Sequence, residues 1–500
     1  MAALRVSGDA SRTRDPSPAT VSEKNEDPEK NLDGPQRNLD EPEQPSAPAR
    51  PAEHPADVPP DGGYGWVCCA ATFWINAHTW GLNSSYGVFL AHYLSNNVFP
   101  GATRLDFAFV GGLSISQALF VSPLATITTR RFGTRVTLLV GVFFETLSLI
   151  GASFAKEIWQ LFLSQGVCFG WGMGFLFVGS VGVVPQWFST RRSFANGIAA
   201  SGSGLGGLMY SLATNAMIQR ISLGWAFRIL GICSFTVNTI CALLVKDRNK
   251  KIGSSQLAFD YRLFRRPEFL LLMGFGFLSM LGYIVLLFSL PNYAQSGIGL
   301  SAHQGSVIGA VLNLGQALGR PPIGYFSDNV GRMNMAATMT FLAGLFSLVI
   351  WIFAKTYGVM IFFALVVGMV AGTYWAVVAP VTTEAIGIAD LPSALSITWI
   401  VLVLPTTFSE AIALQITASN NGNYLGAQIF TGFMYVGAAG FMWLLRAWKI
   451  GEMERIAAEK RESEDSVDPA TDQPDSETGG ERIGGAKSNF LKRMVMKKRV

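Results

Sequence analysis

The segment from Trp159 to Val184 constrains the fold of this chain more than any other feature. Its 26 consecutive residues include no charged side chain. About 20 helical residues suffice to cross the roughly 30 Å hydrocarbon core of a bilayer, because each residue adds 1.5 Å. A surface helix of a soluble protein would instead carry a polar stripe along one side. The segment therefore predicts a membrane-spanning helix.

Similar apolar runs recur along the middle of the chain and predict an all-α membrane protein. The longest polar interruption, 246–267, follows the sixth run and would form a central loop. It separates two pseudo-symmetric six-helix halves, 61–245 and 268–447. We expect twelve transmembrane helices at roughly 66–94, 107–128, 136–154, 159–184, 195–218, 225–245, 269–290, 304–326, 333–354, 358–383, 393–416 and 424–447.

Charge is concentrated at the two ends of the chain and in a few short loops. Residues 1–60 are rich in proline, glutamate and aspartate, and such a segment cannot bury enough apolar surface to offset the entropy lost on ordering. We expect a disordered tail there and a second polar tail over 448–500. The formal net charge of +4 is too small to indicate a nucleic-acid partner.

Lysine and arginine in the short loops predict the orientation. If the N-terminus is cytoplasmic, the inside loops carry thirteen of these residues and the outside loops carry four. Cytoplasmic loops of membrane proteins hold the excess of positive charge. We therefore expect both tails and the central loop in the cytoplasm, the plasma membrane as the location, and a protein that functions as a monomer in the lipid bilayer.

Two loops at equivalent places in the two halves resemble each other. Pro123–Arg135 follows the second helix and Pro321–Arg332 follows the eighth, as expected for a duplicated transporter fold. The segment Gly324–Arg332 resembles the signature loop G-x-x-x-D-x-x-G-R of the major facilitator superfamily. In the first copy, Thr126 and Arg130 stand where the glycine and the aspartate belong.

A second motif narrows the resemblance. Residues 61–66 read Asp-Gly-Gly-Tyr-Gly-Trp, which is similar to the D-G-G-aromatic-G-W signature of the monocarboxylate porters, and the long acidic N-terminal tail resembles the fungal members of that branch. The resemblance implies a secondary transporter that moves a small organic solute (an organic anion, a carboxylate or a secondary metabolite) by alternating access. It implies no enzyme and no cofactor. The alternative is a transporter-like sensor that signals through its cytoplasmic tails.

The residues that couple protons to substrate in those porters are only partly present. The porters have a lysine in the first helix and the motif D-x-x-x-R-P in the eighth. Here Ser84 takes the place of the lysine and Gln316 that of the aspartate, whereas Arg320 and Pro321 are retained. Proton–lactate symport by that mechanism is therefore not expected.

A charged side chain inside a membrane span is costly and is a functional hypothesis by default. Arg320, Gln316 and Asn313 share one face of the eighth helix and would hold an anionic group, the guanidinium supplying paired donors. Alternatively, Arg320 reaches cytoplasmic water and only locks helices together. Further predicted substrate contacts are Asn76 and Asn83 in helix one and Tyr374 and Trp375 in helix ten, the latter two by stacking on a planar solute.

Seven other charged positions are assigned roles of their own. Glu410 in helix eleven is the candidate for proton coupling, whereas Glu145 in helix three is expected to be structural. Asp328 and Arg332 are expected to form a gate, since a carboxylate is favoured near the N-terminus of a helix, and we expect that helix to be helix eleven. Arg130 and Arg135 occupy the matching place in the first half. Glu384 would belong to a loop or to the gate.

Two patterns indicate packing rather than ligand binding. Gly202–Gly207 matches G-x-G-x-x-G, but no strand precedes it and it lies within an apolar span, so it predicts close contact between helices. The five cysteines lack the spacing of metal ligands, and no metal is expected. His78 is expected to make a hydrogen bond within the helix packing.

Overall fold

The computed structural model describes residues 59–254, 256–467 and 493, and all regular secondary structure within them is helical. The predicted disordered tail over 1–60 and the end of the predicted C-terminal tail beyond residue 467 lie almost entirely outside the described residues. Before the central loop the helices are α1 Gly65–Asn76, α2 Leu82–Ser84, α3 Tyr86–Ser95, α4 Arg104–Phe120, α5 Ser122–Phe132, α6 Thr134–Ala152, α7 Ile158–Leu161, α8 Phe169–Val181, α9 Arg192–Arg220 and α10 Leu223–Leu244.

The second part of the chain continues in the same way. A short helix lies within the central loop, and a long last helix runs twenty residues past the predicted end of the twelfth span. Its helices are α11 Asn249–Ile252, α12 Pro267–Asn292, α13 Ala302–Val330, α14 Arg332–Val349, α15 Tyr357–Ala371, α16 Thr373–Ile386, α17 Leu391–Ser419 and α18 Leu425–Val467.

Several of the helical rods are broken rather than straight. The π-helical turn Ala77–Gly81 joins α1 to α2, and a second one, Phe162–Cys168, joins α7 to α8. Such turns insert an extra residue into the helical repeat and are frequent at functional sites. Shorter 3₁₀ turns follow α8 at Val184–Gln186 and α14 at Trp351–Phe353.

Within the described residues, eight helical segments are long and apolar enough to cross a membrane, or nine if the bent pair formed by Phe109–Phe120 and Ser122–Phe132 is one span. All of them coincide with predicted spans. The helices α9 and α13 have 29 residues each but do not join this set. Both are rich in glycine, serine and amide side chains, which lower their mean hydropathy, and the two helices pack along each other.

The two parts of the chain meet through long helix contacts. The helix α9 packs along α13, and α4 packs along α17, so each contact joins a helix before the central loop to one after it. Glycines permit the closest approaches. A Cβ atom at Gly202 would lie 2.0 Å from the carbonyl oxygen of Phe73 in α1, and one at Gly204 would lie 2.6 Å from that of Asn313 in α13. The prediction of close packing at Gly202–Gly207 is confirmed.

Candidate functional site

A small cavity of about 50 Å³ lies between the helices of the two parts of the chain. Among the described residues that line it, Arg320 is the only one with a charged side chain. The other polar groups are hydroxyls and neutral amides, and aromatic rings supply much of the apolar wall. The amides belong to Asn76, Asn83, Asn196, Asn313 and Gln316, and the aromatic rings to Trp80, Phe177, Tyr283 and Trp375.

Arg320 is buried and its guanidinium bridges two helices. Its Nη1 donates to the carbonyl oxygen of Ala200 in α9 at 2.7 Å and to the hydroxyl of Ser203, and its Nη2 donates to Oε1 of Gln316 at 2.6 Å. The Nε–H has no hydrogen-bond partner among the described residues. Arg320 therefore combines the two predicted alternatives, since it lines the cavity and also joins α13 to α9.

Gln316 connects this arginine to a second helix. The hydroxyl of Tyr283 in α12 donates to Oε1 of Gln316 at 2.9 Å, so one amide oxygen accepts from both a phenol and a guanidinium. An amide at this position cannot take up a proton as the carboxylate of the related porters would. Neither Tyr283 nor Ser203 was predicted, because no pattern along the chain shows which residues of neighbouring helices reach Arg320.

The predicted asparagines of α1 and α2 also line the cavity. Asn76 donates to the carbonyl oxygens of Thr72 and of Ala199 in α9, both at 3.0 Å. Asn83 accepts from the hydroxyl of Ser114 in α4 at 2.9 Å. Both side chains are among the cavity residues, and the structure brings them together with the Arg320 face.

Tyr374 and Trp375, the two aromatic candidates of the predicted tenth helix, lie in α16 but have different surroundings. Trp375 lines the cavity, where its ring lies 5.0 Å from that of Trp80 and is stacked on that of Trp399 at 5.9 Å, measured between ring centroids. Tyr374 is buried in the apolar core, where its ring packs against that of Phe275 at 5.5 Å. The structure therefore does not bring Tyr374 to the cavity.

Glu410 lies outside the cavity lining. Its two carboxylate oxygens accept from the hydroxyl of Ser289 in α12 at 2.9 and 3.0 Å. Glu145 is fully buried in α6, where Nδ2 of Asn238 in α10 donates to its Oε2 at 2.7 Å. His78 is buried too, with its Nδ1 2.9 Å from the carbonyl oxygen of Trp74.

Asp328 binds the N-terminus of a helix, but not of the one expected. Its carboxylate oxygens accept from the backbone N–H groups of Ser193 at 3.0 Å and Phe194 at 2.9 Å, in the first turn of α9. The prediction of helix eleven, which is α17, is wrong. The physical reason is that α13 lies along α9, and Gly324 lets the two backbones touch: a Cβ atom there would lie 2.3 Å from the carbonyl oxygen of Ser193.

Arg332 completes this contact between the two parts of the chain. Its Nη2 donates to the carbonyl oxygen of Ser189 at 2.8 Å and pairs with Asp328 at 3.3 Å, and its Nη1 lies 3.7 Å from the carboxylate of Glu384 in α16. We call these residues the gate, defined as Asp328, Arg332 and Glu384 with Ser189, Ser193 and Phe194. Glu384, which was predicted to belong to a loop or to the gate, lies near the C-terminal end of α16 beside Arg332, and its role in gating stays a prediction.

Arg130 and Arg135 lie elsewhere. Both side chains are exposed, and neither forms an ion pair with another described residue. The helix α5 that ends beside them packs on α17, where the hydroxyl of Ser122 donates to the carbonyl oxygen of Ser396 at 3.1 Å. The first-half loop therefore packs against helix eleven, the helix that we had expected Asp328 to contact.

Asp61 also reaches this region, a role that the sequence did not suggest. Its carboxylate accepts from the backbone N–H groups of Ser189 at 2.6 Å and Thr190 at 2.9 Å and from the hydroxyl of Ser189. Burial opposes its charge, but these hydrogen bonds outweigh burial and hold the pKa of Asp61 below its ordinary value. The D-G-G-Y-G-W motif was the available signal, but as a family marker it indicates no contact with Ser189 or Thr190.

Known proteins are similar to this chain along most of its length. The sequence model of the Major Facilitator Superfamily matches residues 68–309 and 272–473. The probable transporter MCH2 of Saccharomyces cerevisiae is 34% identical over 402 residues, 79% of this chain and 85% of that protein. The fujikurins efflux protein of Gibberella fujikuroi is 28% identical over 76% of this chain and 82% of its own length. Monocarboxylate transporter 10 of Mus musculus is 25% identical over 71% and 73%, respectively.

Proposed function

The chain belongs to the Major Facilitator Superfamily, and from that premise we propose that it is a secondary transporter that moves a small organic anion by alternating access. It is a multi-pass membrane protein of the transporter class and not an enzyme. Twelve transmembrane helices in two six-helix halves belong to the proposal, as do a monomeric state, the plasma membrane and cytoplasmic termini. The halves would rock about the cavity, which both of them line.

The observation that carries the proposal is the charge of the cavity. Arg320 is the single charged side chain among its described lining residues, and no carboxylate stands beside it. A cationic solute would meet an uncompensated positive charge, whereas an anionic group would gain charge-assisted hydrogen bonds in a site of low dielectric constant. A carboxylate is the simplest such group. The name of one relative, a monocarboxylate transporter, supports this class. The name of another, an efflux protein, leaves the direction of transport open.

The aromatic wall adds a second element of specificity. Trp80 and Trp375 present ring surfaces at the same cavity that holds Arg320. Aromatic faces provide large apolar contact area with a defined geometry. We therefore propose a solute with a planar or apolar body and an anionic end, held by Arg320 together with Gln316, Asn313, Asn76 and Asn83.

The gate would close one end of this cavity. The contacts of Asp328 and Arg332 join the two parts of the chain, so they must break when that end opens. Because the positive-charge distribution favours cytoplasmic tails, this end would face the cytoplasm. The present arrangement then corresponds to a state closed toward the cytoplasm.

Untargeted comparison of metabolites tests the proposal in cells. The gene would be deleted and returned as the native form, as Arg320→Ala or as Arg320→Lys. We expect an organic anion to change its distribution between cell and medium, no rescue by Arg320→Ala, and partial rescue by Arg320→Lys, because an ammonium does not reproduce paired guanidinium donors. Full rescue by Arg320→Ala at equal abundance would refute the role of this residue.

Proton coupling is a separate proposal and rests on Glu410. Gln316 cannot carry a proton, and Glu410 is a carboxylate within a span that bonds to a helix of the same half. We expect transport into vesicles to respond less to an imposed pH difference in Glu410→Gln than in the native protein. Strong proton dependence that survives this substitution would show that the assignment is wrong. Accumulation of solute in the vesicles would also separate a carrier from a sensor.

A further inference from the structure

Asp61 lies immediately before the first helix and holds a loop that belongs to a different part of the chain. All three hydrogen bonds that its carboxylate accepts come from Ser189 and Thr190, just before α9. Its own backbone N–H donates to the carbonyl oxygen of Trp187 at 3.0 Å. Asp61 thus accepts hydrogen bonds from the loop and also donates one to it.

The local backbone is shaped for this contact. Asp61 has a φ of +53° and Gly63 a φ of +59°, both in the left-handed region. Residues other than glycine adopt this region rarely, and aspartate is among those that tolerate it. The turn brings the start of α1 directly onto the loop, where a Cβ atom at Gly65 would lie 2.8 Å from the Cβ atom of Trp187.

Ser189 forms hydrogen bonds with both Asp61 and Arg332. Its N–H and its hydroxyl are held by Asp61, while its carbonyl oxygen accepts from Nη2 of Arg332 at 2.8 Å. The same guanidinium donates through Nε to the hydroxyl of Ser193 at 3.2 Å, and Asp328 binds the N–H groups of Ser193 and Phe194. A continuous chain of hydrogen bonds therefore leads from Asp61 through Ser189 to Arg332 and Asp328.

The position of the loop before α9 determines whether Arg332 and Asp328 can form their hydrogen bonds with it and with α9. The gate needs a carbonyl oxygen of the loop before α9 and two N–H groups of the first turn of α9 to meet an arginine and an aspartate at the same time. A loop that moves by about 1 Å would turn bonds near 3 Å into separations that no longer count as hydrogen bonds. A residue that fixes the loop therefore contributes to closure without touching the other half.

We propose that Asp61 is a positioning residue of the gate: it fixes the Ser189–Thr190 loop so that α9 can receive Arg332 and Asp328 together. This inference rests on the proposed gating function. It assigns to the D-G-G-Y-G-W motif a role in closing the transporter rather than in binding solute.

Cross-linking across the gate tests this positioning role without any substrate. The rings of Phe194 in α9 and Tyr325 in α13 lie 5.8 Å apart between centroids, so cysteines at these two positions would be within reach of a short bifunctional thiol reagent in the closed state. The five native cysteines would first be replaced. We expect Asp61→Asn to lower the cross-linking yield at least threefold in membranes while abundance and monodispersity stay unchanged.

Asp106→Asn is the matched control. Asp106 also caps the start of a helix, accepting from the backbone N–H of Thr103 at 2.8 Å and from its hydroxyl, but it has no contact with the gate. Its substitution should leave the cross-linking yield unchanged. A yield in Asp61→Asn equal to that in Asp106→Asn would overturn the proposal.

Arg332→Gln separates positioning from general support of the fold. If Asp61 acts through Ser189 and Arg332, Asp61→Asn should have little further effect once Arg332 is substituted, whereas independent effects would multiply. Multiplying effects would contradict the proposal. If Asp61→Asn does not accumulate in the membrane, Ser189→Ala serves instead, because it removes only the hydrogen bond from the Ser189 hydroxyl to Asp61. We expect this variant to lower the cross-linking yield about twofold. An unchanged yield would equally overturn the inference. Because no solute is involved, failure of anion transport would leave this result intact.

Discussion

Gly324→Ala is the substitution whose effect on the gate can be worked out most directly. Gly324 is the first glycine of the G-x-x-x-D-x-x-G-R motif, and α13 approaches α9 most closely there. An added Cβ atom would lie 2.3 Å from the carbonyl oxygen of Ser193 and 2.9 Å from the Cα atom of Phe194. Ordinary contacts begin at 3.4 Å, so the helices must separate by about 1.1 Å.

This separation would also stretch the hydrogen bonds of the gate. The bonds from Ser193 and Phe194 to Asp328 are 3.0 and 2.9 Å long and would lengthen to about 4 Å. Overpacking costs about 1–3 kcal/mol, and each hydrogen bond to a charged group contributes about 1.5–3 kcal/mol before water replaces it. We therefore expect the closed state to lose about 1–3 kcal/mol relative to the open state, a shift of about 5- to 150-fold in their ratio.

Thiol labelling measures this shift. A cysteine replacing Ala200, which lines the cavity, should react with a membrane-impermeant reagent added on the side of the gate only when the gate is open. The ratio of open to closed molecules should rise about 5- to 150-fold in Gly324→Ala, and the labelling rate should rise with the open population, by this full factor when the native protein is almost entirely closed. Gly112→Ala in α4 is the control, because a Cβ atom there meets nothing within 4 Å. Equal rates in both variants would refute the argument that the glycine permits closure.

Three further predictions follow from the same contacts. Asp328→Asn should fold and insert normally but slow transport about tenfold. The amide keeps one acceptor oxygen but loses the charge that pairs with Arg332, which costs about 1–2 kcal/mol. An unchanged transport rate at normal surface abundance would remove Asp328 from the gate. Glu145→Gln should preserve thermal stability, because Oε1 of Glu145 and Oδ1 of Asn238 both lack partners among the described residues, and the amide nitrogen that replaces Oε1 would donate to Oδ1 of Asn238. Glu145→Ala should destabilise by about 2–5 kcal/mol, and equal melting of the two variants in detergent would contradict this. Cysteines introduced at positions 30, 255 and 480 should all label only from the cytoplasmic side, and labelling of any one in intact cells would overturn the orientation.

The sequence predicted those features that depend on a single helix. The apolar runs set the positions of the spans, and the spacing of Asn313, Gln316 and Arg320 placed them on one face that the structure puts at the cavity. The sequence did not show which of two adjacent residues lines the cavity. Tyr374 and Trp375 are adjacent and point in directions about 100° apart on a helix, and nothing in the pattern told which of them faces the cavity.

Features that depend on contacts between helices were beyond the sequence. The expectation for Asp328 used a correct physical rule, that a carboxylate binds a helix N-terminus, and failed on which helix lies nearby. Asp61 was noticed only for its motif, because its partners Ser189 and Thr190 are far away along the chain. The bond from Arg320 to the carbonyl oxygen of Ala200 was invisible for another reason: every residue has such an oxygen, and only packing selects one.

The most direct test of the central claim, that the cavity carries organic anions on Arg320, is solute accumulation in proteoliposomes. Purified native protein and Arg320→Ala would be reconstituted at equal amounts and offered a whole-cell metabolite extract, and the vesicle contents would be identified by mass spectrometry. We predict that at least one organic anion accumulates with the native protein and remains at the level of empty vesicles with Arg320→Ala. Accumulation of cations or neutral solutes alone, or equal accumulation of the anion in both preparations, would contradict the claim.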